Sequence, residues 1–124
     1  MPYEVIWEDR GLYYHHFGVV TGQEITRSIR EFYDDPRSSN TKYIIWDASD
    51  IDQLLMDEDE VTSAAAYDKG GSSYLQGLRF ALVAKDEHAR KLSIDYIDIC
   101  RDLGITWEFK LFDDIEDARS WVLP

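Results

Sequence analysis

Residues 3–8 alternate, with Tyr3, Val5 and Trp7 on one side and Glu4, Ile6 and Glu8 on the other. Period two is the pattern of a half-exposed strand. Asp9-Arg10-Gly11 reads as a tight turn with the glycine at positive φ. Residues 12–20 are rich in aromatic and β-branched side chains and form a second strand, antiparallel to the first. Thr21-Gly22-Gln23-Glu24 is a capping box that opens a helix. Ile25, Ile29, Phe32 and Tyr33 lie on one face of that helix. It ends at Asp34-Asp35-Pro36, because the residue before proline is pushed out of helical geometry.

Residues 42–47 carry nearly continuous bulky side chains, as a strand covered on both faces does. This strand is expected to stop at the acidic, Ser-containing turn after Asp47, with residues 48–56 as a connection of mixed character. Asp57 begins the next helix, with Glu58, Asp59 and Glu60 set against its positive dipole end. Val61, Ala64, Ala65 and Tyr67 continue it, and Gly70-Gly71 bends or ends it. Residues 78–84 form a short apolar strand. Asp86 caps a third helix with Ala89, Leu92, Tyr96, Ile99, Cys100 and Leu103 on its core face, and Gly104 stops it. Trp107, Phe109 and Leu111 alternate with Glu108 and Lys110 in a last strand. Asp113 to Glu116 reads as a capping box for a final short helix with Ile115, Ala118 and Val122 inward and Trp121 beside them.

The order β-β-α-β-α-β-α-β-α predicts an α/β fold. Its sheet is mixed, five-stranded and mostly parallel, with an N-terminal antiparallel hairpin. The 124 residues fit a single domain spanning 1–124. The net charge of −12 argues against nucleic acid and against an anionic membrane surface. With no apolar run of membrane-spanning length and no leader-like start, the expectation is a soluble cytoplasmic protein without membrane insertion. The lone Cys100 excludes an internal disulfide and fits a small core residue.

With the elements in place, five stretches resemble the SpoIIAA-like, or STAS-like, group of small α/β domains, in an uncharacterised branch. They are Trp7-Glu8-Asp9-Arg10-Gly11, Gly18-Val19-Val20-Thr21-Gly22, Tyr43-Ile44-Ile45-Trp46-Asp47-Ala48-Ser49-Asp50, Leu78-Arg79-Phe80-Ala81-Leu82-Val83-Ala84 and Ala118-Arg119-Ser120-Trp121-Val122. The resemblance implies a superhelix of strand-helix units with strands adjacent in chain order. It also implies a non-enzymatic role: regulated protein contacts as in STAS proteins, or apolar ligands as in the related CRAL-TRIO lipid carriers. STAS regulators place a phosphorylatable Ser at the helix start after the central strand. Here that turn reads Met56-Asp57-Glu58-Asp59-Glu60, with acids in its place.

Chemistry-bearing patterns are sparse. His15 and His16 are adjacent in a strand, point to opposite faces and cannot share a metal. The acids between Asp47 and Glu60 lack the glycine of a calcium loop and read as caps and solvated charge. Gly70-Gly71-Ser72-Ser73 lacks the lysine and strand-turn-helix setting of a phosphate loop. No nucleophile elbow, zinc-protease motif or dinucleotide fingerprint is present, and no cofactor is implied. Asp47 stands at the carboxyl end of the central strand, where open α/β sheets hold ligands. The rings Trp7, Tyr13, Tyr14, Tyr43, Trp46, Trp107 and Phe109 offer a pocket or an interface.

The leading expectation is therefore a binding or regulatory module acting through protein contacts, as a homodimer or with a protein partner. The alternative is a carrier of a small apolar or lipid-like ligand, opened by movement of the Ala-rich helix between Val61 and Leu75. A hydrolase using Asp47, Ser49 or a histidine ranks last, so an enzyme is the less expected reading. The candidate ligand or partner surface is Tyr14, Trp46, Asp47, Ser49, Tyr67 and Tyr74. No residue is assigned a catalytic or metal-binding role.

Overall fold

A computed structural model describes residues 3–123. Strands β1 (Tyr3–Trp7), β2 (Gly11–Thr21), β3 (Tyr43–Leu55), β4 (Arg79–Ala84) and β5 (Glu108–Phe112) form one sheet in the order β1-β2-β3-β4-β5. β1 pairs antiparallel with β2, and every later pair is parallel. Helices α1 (Gly22–Asp34), α2 (Glu58–Gly71) and α3 (Glu87–Asp102) are the three crossovers, with a short 3-10 turn at Pro36–Asn40. Helix α4 (Ile115–Val122) follows β5. The α/β order and the mostly parallel sheet are those the hydrophobic pattern predicts.

The two faces of the sheet bury different layers. Alternation along β2 to β5 sends Leu12, Tyr14, Ile44, Leu82 and Phe109 into a large core beneath α1, α2 and α3. Tyr43, Ile45, Ala81, Val83 and Phe112 form a smaller core on the other face, closed by Ala118 and Val122 of α4. Glu8, in the hairpin turn, holds α4 in place. It accepts from the Arg119 guanidinium at 2.7 Å and from the Tyr43 hydroxyl. The Arg119 hydrogen bond comes first in holding the Glu8 pKa down, and it outweighs the opposing effect of burial.

Four local readings change. The strand of Tyr43 does not stop at Asp47 but runs on to Leu55. Its register with β2 slips between His15 and Phe17 and again between Gly18 and Val19, so β3 carries two bulges. Ala48, Ile51 and Leu54 therefore all reach the core at a spacing of three, which alternation cannot reveal. Second, α4 is capped one residue later than expected. Asp114 accepts from the Asp117 amide at 2.9 Å, while Asp113 pairs with Arg90 at 2.6 Å. Third, Gly11 does not sit at positive φ. A Cβ there would collide with the ring of Tyr43, so a close approach explains that glycine. At the end of α3, Leu103 is exposed rather than core.

Gly70 and Gly71 both lie inside α2 and do different things. Nothing lies near a Cβ built on Gly70, whereas one on Gly71 would collide with the Tyr33 ring of α1. Gly71→Ala is expected to cost about 1–3 kcal/mol through overpacking. Gly70→Ala is expected to stabilise by up to about 1 kcal/mol through helix propensity. Urea unfolding of the two variants checks the contrast, and equal effects would contradict this packing.

Candidate functional site

Between the sheet and the three crossover helices lies a half-open cavity of ≈ 80 Å³. Its floor is Tyr14 from β2, Ile44 and Trp46 from β3, and Phe80 and Leu82 from β4. Its roof is Ile25, Ile29 and Phe32 of α1, Val61 and Ala64 of α2, and Leu92 of α3. The chain leaves room here because α2 turns mostly alanine toward the sheet: Val61, Ala64 and Ala65 are its buried apolar residues. The space is about half the ~150 Å³ of an engineered apolar cavity that holds a benzene ring.

Among the described residues, one carboxylate reaches this cavity. Asp68 of α2 lines it and is 3% exposed. Tyr33 of α1 donates its hydroxyl to Asp68 Oδ1 at 2.7 Å, and Tyr96 of α3 donates to Oδ2. The carboxylate thus joins all three roof helices. Burial is the largest influence on it and outweighs the two phenol hydrogen bonds, lifting its pKa from the ordinary 3.8 to about 6. The same burial, with the neighbouring Asp68 charge, keeps Tyr96 protonated far above the usual phenol range. Tyr96 also packs among Phe80 and Phe109, with ring centroids 5.8 and 5.9 Å away.

The remaining polar side chains of the wall are all engaged. The Tyr14 hydroxyl donates to the Ser28 carbonyl at 2.8 Å. Ser28 and Ser93 each donate to a carbonyl of their own helix at 2.7 Å. Trp46 Nε1 donates to His16 Nδ1 at 3.0 Å. His16 is fully buried, and burial pushes its pKa down to about 4. Because the indole can only donate, His16 is the neutral tautomer with its proton on Nε2. That N–H has no partner and stands behind the wall rather than on it.

The six candidate residues fall in three places. Tyr14 and Trp46 come together on the cavity floor. Asp47 and Ser49 lie on the α4 side of β3, because Asp47 alternates with Trp46. Asp47 is 4% exposed and accepts from the Tyr13 hydroxyl and the Ser49 hydroxyl, both at 2.6 Å, and from the Ser49 amide at 3.0 Å. Ser49 donates to that carboxylate and not to a histidine. His15, on the same face, instead contacts Asp50 at 2.7 Å and Glu4 at 3.2 Å. Burial opposes its charged form, but those two contacts outweigh it and raise its pKa above the ordinary value. Among the described residues, neither Ser49 nor Asp47 hydrogen-bonds to a histidine. Tyr67 and Tyr74 line a separate groove of ≈ 430 Å³ between the C-terminal end of α2 and the 3-10 turn, with Tyr33 also in its wall.

Asp68, Ser93 and Tyr33 were absent from the expected surface. The signal for Asp68 was in the sequence: with Val61, Ala64 and Ala65 it continues a 3-1-3 spacing, which puts an acid on an apolar helix stripe. Among the described residues no group of His, Cys, Asp or Glu comes together to hold a metal, and no helix is long and apolar enough to cross a membrane.

Asp68 makes stability depend on pH with a defined sign. Its raised pKa means the protonated form favours the fold. That contribution is complete below about pH 4 and is lost as pH rises through about 6. The full loss is about 3 kcal/mol. The stability of wild type relative to Asp68→Asn is expected to fall by about that amount between pH 4 and pH 7.5. Paired urea titrations measure it, and a difference independent of pH contradicts it.

No protein-family profile matches the chain, and no curated protein matches it. Among solved structures, it is similar to an uncharacterized protein from the DUF3478 family with a SpoIIAA-like fold, from Shewanella loihica PV-4. The two share 14% sequence identity at a TM-score of 0.58, over 97% of this chain and 91% of that one. At that identity the likeness speaks of architecture alone, and the chain has a SpoIIAA-like fold.

Proposed function

We propose that the chain is a non-enzymatic binding module, one SpoIIAA-like domain over residues 1–124, that takes a small apolar molecule into the cavity beneath α1, α2 and α3. The supporting observation is the cavity wall, which is almost entirely aliphatic and aromatic and is lined by half-exposed Trp46, Ile29, Met56 and Phe80. Apolar concavities with a few fixed polar groups are the usual form of a small-ligand site. Its volume suits a short chain, and a lipid-sized ligand requires α2 to move outward. The alanine-rich face of α2 gives up little packed area in that movement, and its cost lies in parting Asp68 from Tyr33 and Tyr96. The Ser49 hydroxyl is turned to the buried Asp47 carboxylate beneath α4 rather than toward this cavity, which favours binding over hydrolysis.

Protein contact is the second reading, favoured by the rings outside α2. Tyr74 is 81% exposed and Tyr67 42%. Exposed rings beside a groove are common features of partner surfaces. A homodimer through that groove is expected to weaken at least tenfold in Tyr74→Ser when followed by sedimentation, and a strict monomer at high concentration removes it.

Xenon is the direct probe of the cavity. Pressurised xenon is expected to shift the methyl resonances of Ile44, Leu82 and Leu92 in wild type. Those shifts should vanish in a folded Ala64→Leu variant, whose added side chain fills the space. No xenon response in wild type would remove the small-ligand reading.

A further inference from the structure

Six polar side chains line the cavity: Tyr14, Ser28, Trp46, Asp68, Ser93 and Tyr96. Every N–H or O–H among them is already committed to a protein acceptor, to the Ser28, Ile25 and Ala89 carbonyls, to His16 Nδ1 and to Asp68. What they leave toward the cavity is lone pairs. Each Asp68 oxygen receives one phenol, yet an ionised carboxylate has about four acceptor positions. The hydroxyl oxygens of Tyr14, Ser28, Ser93 and Tyr96 likewise keep acceptor capacity after donating their protons. Among the described residues, the wall is a set of acceptors without a free side-chain donor.

From this we infer that the cavity selects apolar molecules carrying one hydrogen-bond donor, namely alcohols, phenols or amines. It discriminates against apolar molecules whose polar group only accepts, namely ketones, esters and carboxylates. The inference rests on the small-ligand reading and gives it a chemical class. A ligand hydroxyl or ammonium at Asp68 satisfies a buried carboxylate. A ligand carbonyl there finds no proton and faces a negative charge, and a buried polar group left without a partner carries the full desolvation penalty. An anionic ligand fares worse for the same reason.

The neutral pair 2-butanol and 2-butanone tests this with nearly equal size and no difference in charge. Two-dimensional NMR of the cavity methyls, at pH 8 so that Asp68 is ionised, gives both affinities. The alcohol is expected to bind about tenfold tighter or more, and 2-aminobutane to bind at least as well as the alcohol. Asp68→Asn places an amide donor on the wall and is expected to narrow the preference. The wild-type comparison stands even where that variant does not fold. Equal binding of alcohol and ketone overturns the inference and leaves the small-ligand reading intact. If xenon enters but none of the three binds, the inference also falls, because the lone pairs then select nothing. If xenon does not enter either, the small-ligand reading itself is lost.

Discussion

The roof of this fold depends on one buried carboxylate. A carboxylate removed from water costs several kcal/mol unless it is well hydrogen-bonded. Phenols from the helices on either side of its own meet part of that demand at Asp68, and burial outweighs them. The requirement fixes where α1 and α3 stand, since Tyr33 and Tyr96 must both reach one side chain. It also explains the bare backbone at Gly71, over which the Tyr33 ring passes. Helix α2 turns alanines to the sheet and is positioned by this polar node more than by packed volume. The cavity is the space that follows when a helix is held by its polar side and left thin on its apolar one.

The sheet then divides the chemistry. On β3 a ring and an acid are neighbours in sequence, yet alternation sends Trp46 to the cavity and Asp47 to the opposite layer. There Asp47 accepts three hydrogen bonds from Tyr13 and Ser49, and α4 is locked by Arg119 across the hairpin turn. That layer is an internally satisfied structural network. The helix-side layer keeps unused acceptor capacity facing open space.

Much of this was legible in the chain. Period-two alternation marks β1 and β5, the box pattern at Thr21 and the acids that follow Asp57 mark two helix starts, and the strand-helix rhythm gives the mostly parallel sheet. The far half of β3 was not legible. Its two bulges place Ala48, Ile51 and Leu54 inward at every third residue, a spacing that belongs to no regular strand. Nor did the cavity show itself, because a void depends on how three helices stand off a sheet. Asp68 was visible as an acid on an apolar stripe, but its partners lie 35 and 28 residues away. The Asp113 and Asp114 pair offers two equivalent caps, and only the ion pair to Arg90 separates them.

The length of β3 has one more consequence. β4 pairs with it only as far as Ala48, while β2 accompanies it to Leu55. Beyond Ala48, among the described residues, β3 therefore has a neighbouring strand on one side alone. An unpaired strand edge is a template on which another chain can lay down a strand and begin aggregation. Asp50 and Asp52 sit along this stretch and are exposed. Charges in such positions repel an incoming strand and leave it a poor surface to add to. Part of the acidity after the central strand thus lies along the edge left where β4 ends at Ala84.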